Sequence, residues 1–110
     1  AFSRRARAGL EFEGRMLADF ADVLYRAGDL NAALEACDEA IAVSRRRTDR
    51  VAELHATVLR GLILAGADDL QNAEEIEQLI ARADELLTVS GAAFFAPRLE
   101  KLRLQFEPRE

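Results

Sequence analysis

The chain has 110 residues, 50% hydrophobic and 32% charged, enough for one domain that buries roughly two thirds of its unfolded surface. No apolar run approaches the roughly 18 residues needed to cross a bilayer. Phe2-Ser3-Arg4-Arg5 is not expected to be a secretory leader, and one cysteine, Cys37, makes no internal disulfide. The net charge of −5 weighs against nucleic acid, whose binding depends on neutralising phosphates. A cytoplasmic address follows as the default expectation, and a chain opening on Ala1 without methionine is expected to be a piece of a longer polypeptide.

Residues 1–8 read as the end of a preceding helix, with Phe2, Ala6 and Leu10 apolar, Arg4, Arg5 and Arg7 in the last turn, and Gly9 as the stop. The first helix pair spans 10–47. Its first member carries Leu17, Phe20, Ala21 and Leu24 at the i, i+3, i+4, i+7 spacing of one apolar face, opposite Arg15, Asp19, Asp22 and Arg26. Gly28 ends that helix and Asp29 caps the next. The second member places Leu30, Leu34, Cys37 and Ile41 on one stripe, with Ala33, Ala36 and Ala40 keeping its flank small. So short a turn makes the two helices antiparallel. Cys37, within the apolar stripe, reads as a small buried hydrophobe rather than a reactive thiol. Arg45-Arg46-Arg47 sits where cations complement a helix C-terminus, the structural alternative to a phosphate contact, and Thr48-Asp49 offers the next cap.

A second pair is expected over 49–90. Its first helix is apolar on two sides, Val51, Leu54, Val58, Leu62 and Ala65 on one, Ala52, His55, Ala56, Leu59 and Ile63 on the other. Only Glu53, Thr57 and Arg60 leave a polar strip, as expected for a helix in the middle of a stack. Gly61 within it predicts a close approach by another helix. His55, the one histidine, has no second histidine or paired cysteine to suggest a metal, so a packed or capping role is expected. After the turn at Gly66-Ala67-Asp68-Asp69, Asn72-Ala73-Glu74-Glu75 fits a capping box, with Glu75 reaching back to Asn72. The acidic cluster Asp68, Asp69, Glu74, Glu75, Glu77 lacks calcium-loop spacing and reads as a solvated helix start. The next helix places Ala73, Ile76, Ile80, Ala83 and Leu87 on one face, with Leu79 and Leu86 beside them, and stops at Ser90-Gly91. A terminal capping helix over 94–107 carries Phe95, Leu99, Leu102 and Phe106, tolerates Pro97 in its first turn and ends at Pro108.

Stops at Gly9, Thr48 and Gly91 recur about forty residues apart, as do the inner turns at Gly28 and Gly66, which is the period of a helix-pair solenoid. The expected fold is therefore all-α: a single domain over 1–110, an antiparallel helix-pair α-solenoid fragment of about five helices. Ala21, Gly28, Ala33 and Ala40 stand where the tetratricopeptide (TPR) pattern wants small residues, and Leu17, Phe20 and Leu24 where it wants large ones. The chain departs from that pattern in lacking the first large aromatic, in placing Cys37 at a usual aromatic site, and in an extended second inner turn. The runs Leu17 to Ser44, Ala52-Glu53-Leu54-His55 with Leu59-Arg60-Gly61, and Ser90 to Leu104 resemble the C-terminal helical repeats of large bacterial signalling proteins. Those are the class III adenylate/guanylate cyclases with an AAA-type ATPase and the LuxR-type ATP-dependent regulators related to the maltose activator.

The resemblance implies a non-catalytic interaction and regulatory module, the C-terminal sensor part of a larger bacterial signalling or transcription-regulatory protein. Nothing in the chain supplies a phosphate-binding loop ending in Lys-Ser/Thr, a Ser-His-Asp set, or a convergent carboxylate pair, so no enzyme, cofactor or metal is expected. In a stack of helix pairs the first helix of each pair walls a groove. Arg15, Asp19, Asp22, Arg26, Glu53, Thr57 and Arg60 are the candidate lining, with Tyr25 adding a flat apolar contact; the alternative is that they are solvated stripes. The expected occupant is a protein partner or neighbouring domains of the same polypeptide. Homo-oligomerisation through Phe2, Phe94, Phe95 and Phe106 is the alternative, with small-inducer or nucleic-acid binding behind it.

Overall fold

A computed structural model describes residues 13–67 and 72–106. It contains five α-helices: α1 (Glu13–Arg26), α2 (Leu30–Arg47), α3 (Arg50–Gly66), α4 (Ala73–Ser90) and α5 (Ala96–Phe106). A 3₁₀ turn, Ala93–Phe95, leads into α5, and there is no strand among the described residues. The all-helical class is the one the apolar periodicity predicts. Expectations for residues 1–8, Gly9, Leu10, Asp68, Asp69 and Pro108 lie outside the described residues. No helix among those residues is long and apolar enough to cross a membrane.

Local chemistry sets most helix boundaries. Gly28 takes a φ of +87°, a backbone state closed to most side chains, and its N–H bonds the Tyr25 carbonyl at 3.0 Å to close α1. Asp29 then accepts from the Ala32 N–H at 3.4 Å, and Asp49 accepts from the Ala52 N–H at 3.1 Å, so each caps the helix that follows. Thr48 ends α2 in the left-handed region, φ 56°, where its N–H bonds the Arg45 carbonyl. The capping box expected at α4 does not form. Asn72 makes no side-chain cap, and the Glu75 carboxylate, instead of reaching back to the Asn72 N–H, is taken by the Arg60 guanidinium at 2.8 and 3.0 Å. A two-donor charged bond outcompetes a single contact to a backbone N–H.

Helix α3 is the centre of the packing. It touches α1, α2, α4 and α5, while α1 packs on α2, and α5 also packs on α4. Its two apolar sides separate the interior into layers. Leu54, Val58 and Leu62 join Ile76, Ala83 and Leu86 of α4 and Leu99 and Leu102 of α5. Leu59 and Ile63 meet Ala21, Ala33, Ala36 and Cys37. Each fully buried leucine contributes about 2 kcal/mol relative to exposure. The close approach predicted from Gly61 is made by α5: a Cβ at that position would stand 2.6 Å from Leu102 Cδ2.

On α1 the buried arc is turned relative to the expected face. Leu17, Ala18 and Ala21 are inside, whereas Phe20 is 55% exposed, beside exposed Met16 and Val23. Small side chains let α2 come close, and the arc centres on them rather than on the largest residues.

Candidate functional site

The cleft lies where α1, α3 and α5 meet. His55, projecting from α3, forms its floor with Val51 and Ala52; Arg15, Asp19 and Arg26 of α1 form one wall, and Phe94, Phe95 and Arg98 the other. It consists of two hollows of about 270 and 340 Å³ that share Asp19, His55 and Phe95. Helical spacing places the α1 wall: Arg15, Asp19, Asp22 and Arg26 recur at three and four residues and so stand on one side. The 3₁₀ turn before α5 brings two adjacent aromatic rings to the rim. Phe95 lies against the His55 ring with centroids 5.0 Å apart, and Phe94 stands edge-on to Phe95 at 5.3 Å. Phe94 is 85% exposed.

Asp22 is the electrostatic centre. Its Oδ1 accepts from Arg26 Nε and Arg98 Nη2, each at 3.2 Å. Its Oδ2 accepts from Arg98 Nη1 at 2.8 Å and faces His55 Nε2 at 2.8 Å. Burial would raise the Asp22 pKa, but hydrogen bonds from Arg98 and His55, together with their charges, outweigh it and hold the carboxyl down at about 2. Arg98 is thereby fixed to a residue 76 positions earlier, clasping α5 to α1 across α3. Asp19 stands at the rim, its side chain 77% exposed and 3.8 Å from His55 Nδ1. Arg15 approaches Asp49 at 3.8 Å.

Glu53, Thr57 and Arg60 are not brought to this cleft. They lie about half a turn of α3 away from His55, facing α2 and α4. Glu53 is only 3% exposed and is held by Arg45 of α2 at 2.9 Å and by Arg82 of α4 at 3.0 and 3.1 Å. Burial opposes its ionisation, and the Arg82 and Arg45 hydrogen bonds reverse that effect and lower its pKa. Arg60 joins Asp38 of α2 to Glu75 of α4, both at 2.8 Å. Thr57, between these bridges, is buried with no hydrogen-bond partner for its hydroxyl. A polar strip so narrow, on a helix covered from both sides, is closed over by its neighbours, which supply the opposite charges. Tyr25 also turns inward and packs against the core.

The candidate lining thus divides into Arg15, Asp19, Asp22 and Arg26 at the cleft and Glu53, Thr57 and Arg60 in an interhelical clasp. Sequence reasoning missed Phe94, Phe95 and Arg98 as partners of the α1 set, and gave His55 a structural role only. The Phe94-Phe95 pair ahead of a helix was the one visible signal. Among the described residues no group of three His, Cys, Asp or Glu side chains converges to hold a metal. No protein-family model, curated protein or solved structure matches this chain.

Proposed function

We infer that this chain is a non-catalytic protein-interaction module, a short stack of antiparallel helix pairs of the TPR kind, whose recognition surface is the cleft between α1, α3 and α5. One observation supports the reading: α3 packs against both α1 and α5, and the two hollows that share Asp19, His55 and Phe95 lie along that seam. That is where stacked helix pairs present a surface for an extended segment of a partner. The cleft combines exposed aromatic area with charged rims, the composition of recognition surfaces rather than of inert ones. On the resemblance to bacterial cyclase and LuxR-type repeats, the module is the C-terminal sensor of a larger cytoplasmic signalling or transcription-regulatory protein.

A photo-crosslinking amino acid placed at position 94 tests this. Adducts to another protein should form from that position and not from exposed Gln78 on α4. Equal labelling from both positions, or none from either, defeats the assignment of the cleft.

Self-association is a second reading, favoured by the exposed Met16, Phe20 and Val23 stripe on α1. Of the aromatics expected to drive it, Phe94 is exposed, Phe95 and Phe106 are half-buried against the core, and Phe2 lies outside the described residues. A mass by light scattering that doubles with concentration, and that Phe20→Asp abolishes, would favour it.

A further inference from the structure

We propose that the cleft selects an extended segment in which an acidic residue sits beside a large apolar one, with a basic residue about three positions away. This names the partner chemistry of the peptide-binding reading above and rests on it. The acid is specified at the Arg26 end. Asp22 is one carboxylate facing two guanidiniums and an imidazole, so its charge is fully engaged. Arg26 gives it only Nε; its side chain is 71% exposed, and its two Nη groups make no hydrogen bond within the described residues. Arg98 gives Asp22 both Nη groups and retains Nε. Around Asp22 two guanidiniums meet one carboxylate, and Asp19, the second acid of the hollow, lies about two turns of α1 before Arg26, so the Arg26 end is locally positive with unclaimed planar donors, the arrangement that binds a carboxylate.

Phe94 specifies the apolar neighbour. Its ring lines the same hollow as Arg26 and Arg98, and the hollow's 340 Å³ is room for large side chains rather than a whole folded element. A bare aromatic ring beside a cation is matched by a side chain that covers it while its neighbour meets the charge. Asp19 specifies the third feature. It is exposed, lies seven residues before Arg26, and so stands about 10 Å away along α1. Three residues of an extended chain cover about 10 Å. A segment with its acid at Arg26 therefore presents the residue three positions away to a carboxylate, which repels a second acid and attracts a base. The cleft is dipolar, and a run of like charges of either sign fits only one end of it.

The test begins with random linear peptides displayed on phage and panned against the immobilised chain. Selected sequences are then made as fluorescein-labelled peptides and read by fluorescence polarisation. Enrichment of an acid next to a large apolar residue, with a base three positions off, is the expected result. Changing the acid to lysine should weaken binding about tenfold or more. Arg26→Glu should reverse the preference at that position, Phe94→Ala should weaken binding to every selected peptide, and polyglutamate should not displace them. Both substituted residues are exposed, so unchanged far-ultraviolet circular dichroism confirms the fold in each variant. Selected peptides that lack the pattern but still depend on Phe94 overturn this inference and leave the peptide-binding reading standing. Peptides indifferent to both variants, or no enrichment, overturn both.

Discussion

Asparagine at Asp22 keeps the shape of the side chain and removes its charge, so it isolates the clasp between α1 and α5. The folded carboxyl has its pKa lowered from 3.8 to about 2, with burial opposed by the Arg98 and His55 hydrogen bonds. A tenfold change in an ionisation equilibrium is worth about 1.4 kcal/mol, so ionised Asp22 contributes about 2 kcal/mol to stability at neutral pH. The folded value lies below the unfolded one. The contribution is therefore complete above about pH 5, about half remains at pH 3, and it disappears as the pH falls through 2. Against a typical total of about 5–15 kcal/mol this is a measurable fraction. Urea unfolding followed by helical ellipticity at pH 7, 5 and 3 gives the difference between wild type and Asp22→Asn at each pH. Comparing the two proteins at one pH cancels the titration of every other carboxylate, including Glu53, whose pKa is also lowered. A difference that is absent at pH 7, or that is as large at pH 3 as at pH 7, would refute the account of Asp22 as a charge-dependent clasp.

The remaining predictions concern single positions. Thr57→Val removes a buried hydroxyl that has no partner at almost constant volume, and should stabilise the chain by about 1 kcal/mol in the same urea assay. Thr48→Gly relieves a β-branched residue held at φ 56°; strain relief of about 1–2 kcal/mol less the extra entropy of glycine leaves a gain of about 1 kcal/mol, seen as a melting temperature raised by a few degrees. Cys37 is fully buried and its thiol is pushed up to about 12 by burial, so at pH 8 Ellman's reagent should label the native chain at under about a thousandth of the rate seen in urea.

Period and capping chemistry carried the fold into the sequence in readable form. The 3.6-residue spacing of Leu54, Val58 and Leu62, the caps at Asp29 and Asp49, and the contact implied by Gly61 are local signals, and the structure realises each of them. The site was legible only on α1, where Arg15, Asp19, Asp22 and Arg26 share one side by helical spacing alone. Its other wall was hidden, because no periodicity relates Asp22 to Arg98 across 76 residues. Glu53, Thr57 and Arg60 show the converse. A polar stripe looks the same in sequence whether it meets water or the arginines and acids of neighbouring helices, and the difference lies in Arg45, Asp38, Glu75 and Arg82 on other elements. Phe20 was misplaced for a similar reason: helical spacing identifies an apolar side, while the closest approach of α2 selects which part of it is covered.

The two polar systems on opposite sides of α3 have different consequences for binding. The Glu53 and Arg60 bridges tie α2 to α4 through α3, away from the cleft. On the proposed peptide-binding reading Asp22 acts on both stability and recognition, because the Arg98 bond that docks α5 also sets the second wall of the cleft and leaves Arg26 its unclaimed donors. A segment lying against both α1 and α5 binds only the state in which α5 is docked. Its binding free energy therefore adds to the docking of α5, by RT ln(1 + [L]/Kd) for a ligand that ignores the undocked state. On that reading, occupancy of the cleft is transmitted to the last helix of the described chain, and weakening the Asp22–Arg98 clasp is expected to lower apparent affinity even for a ligand that touches neither residue.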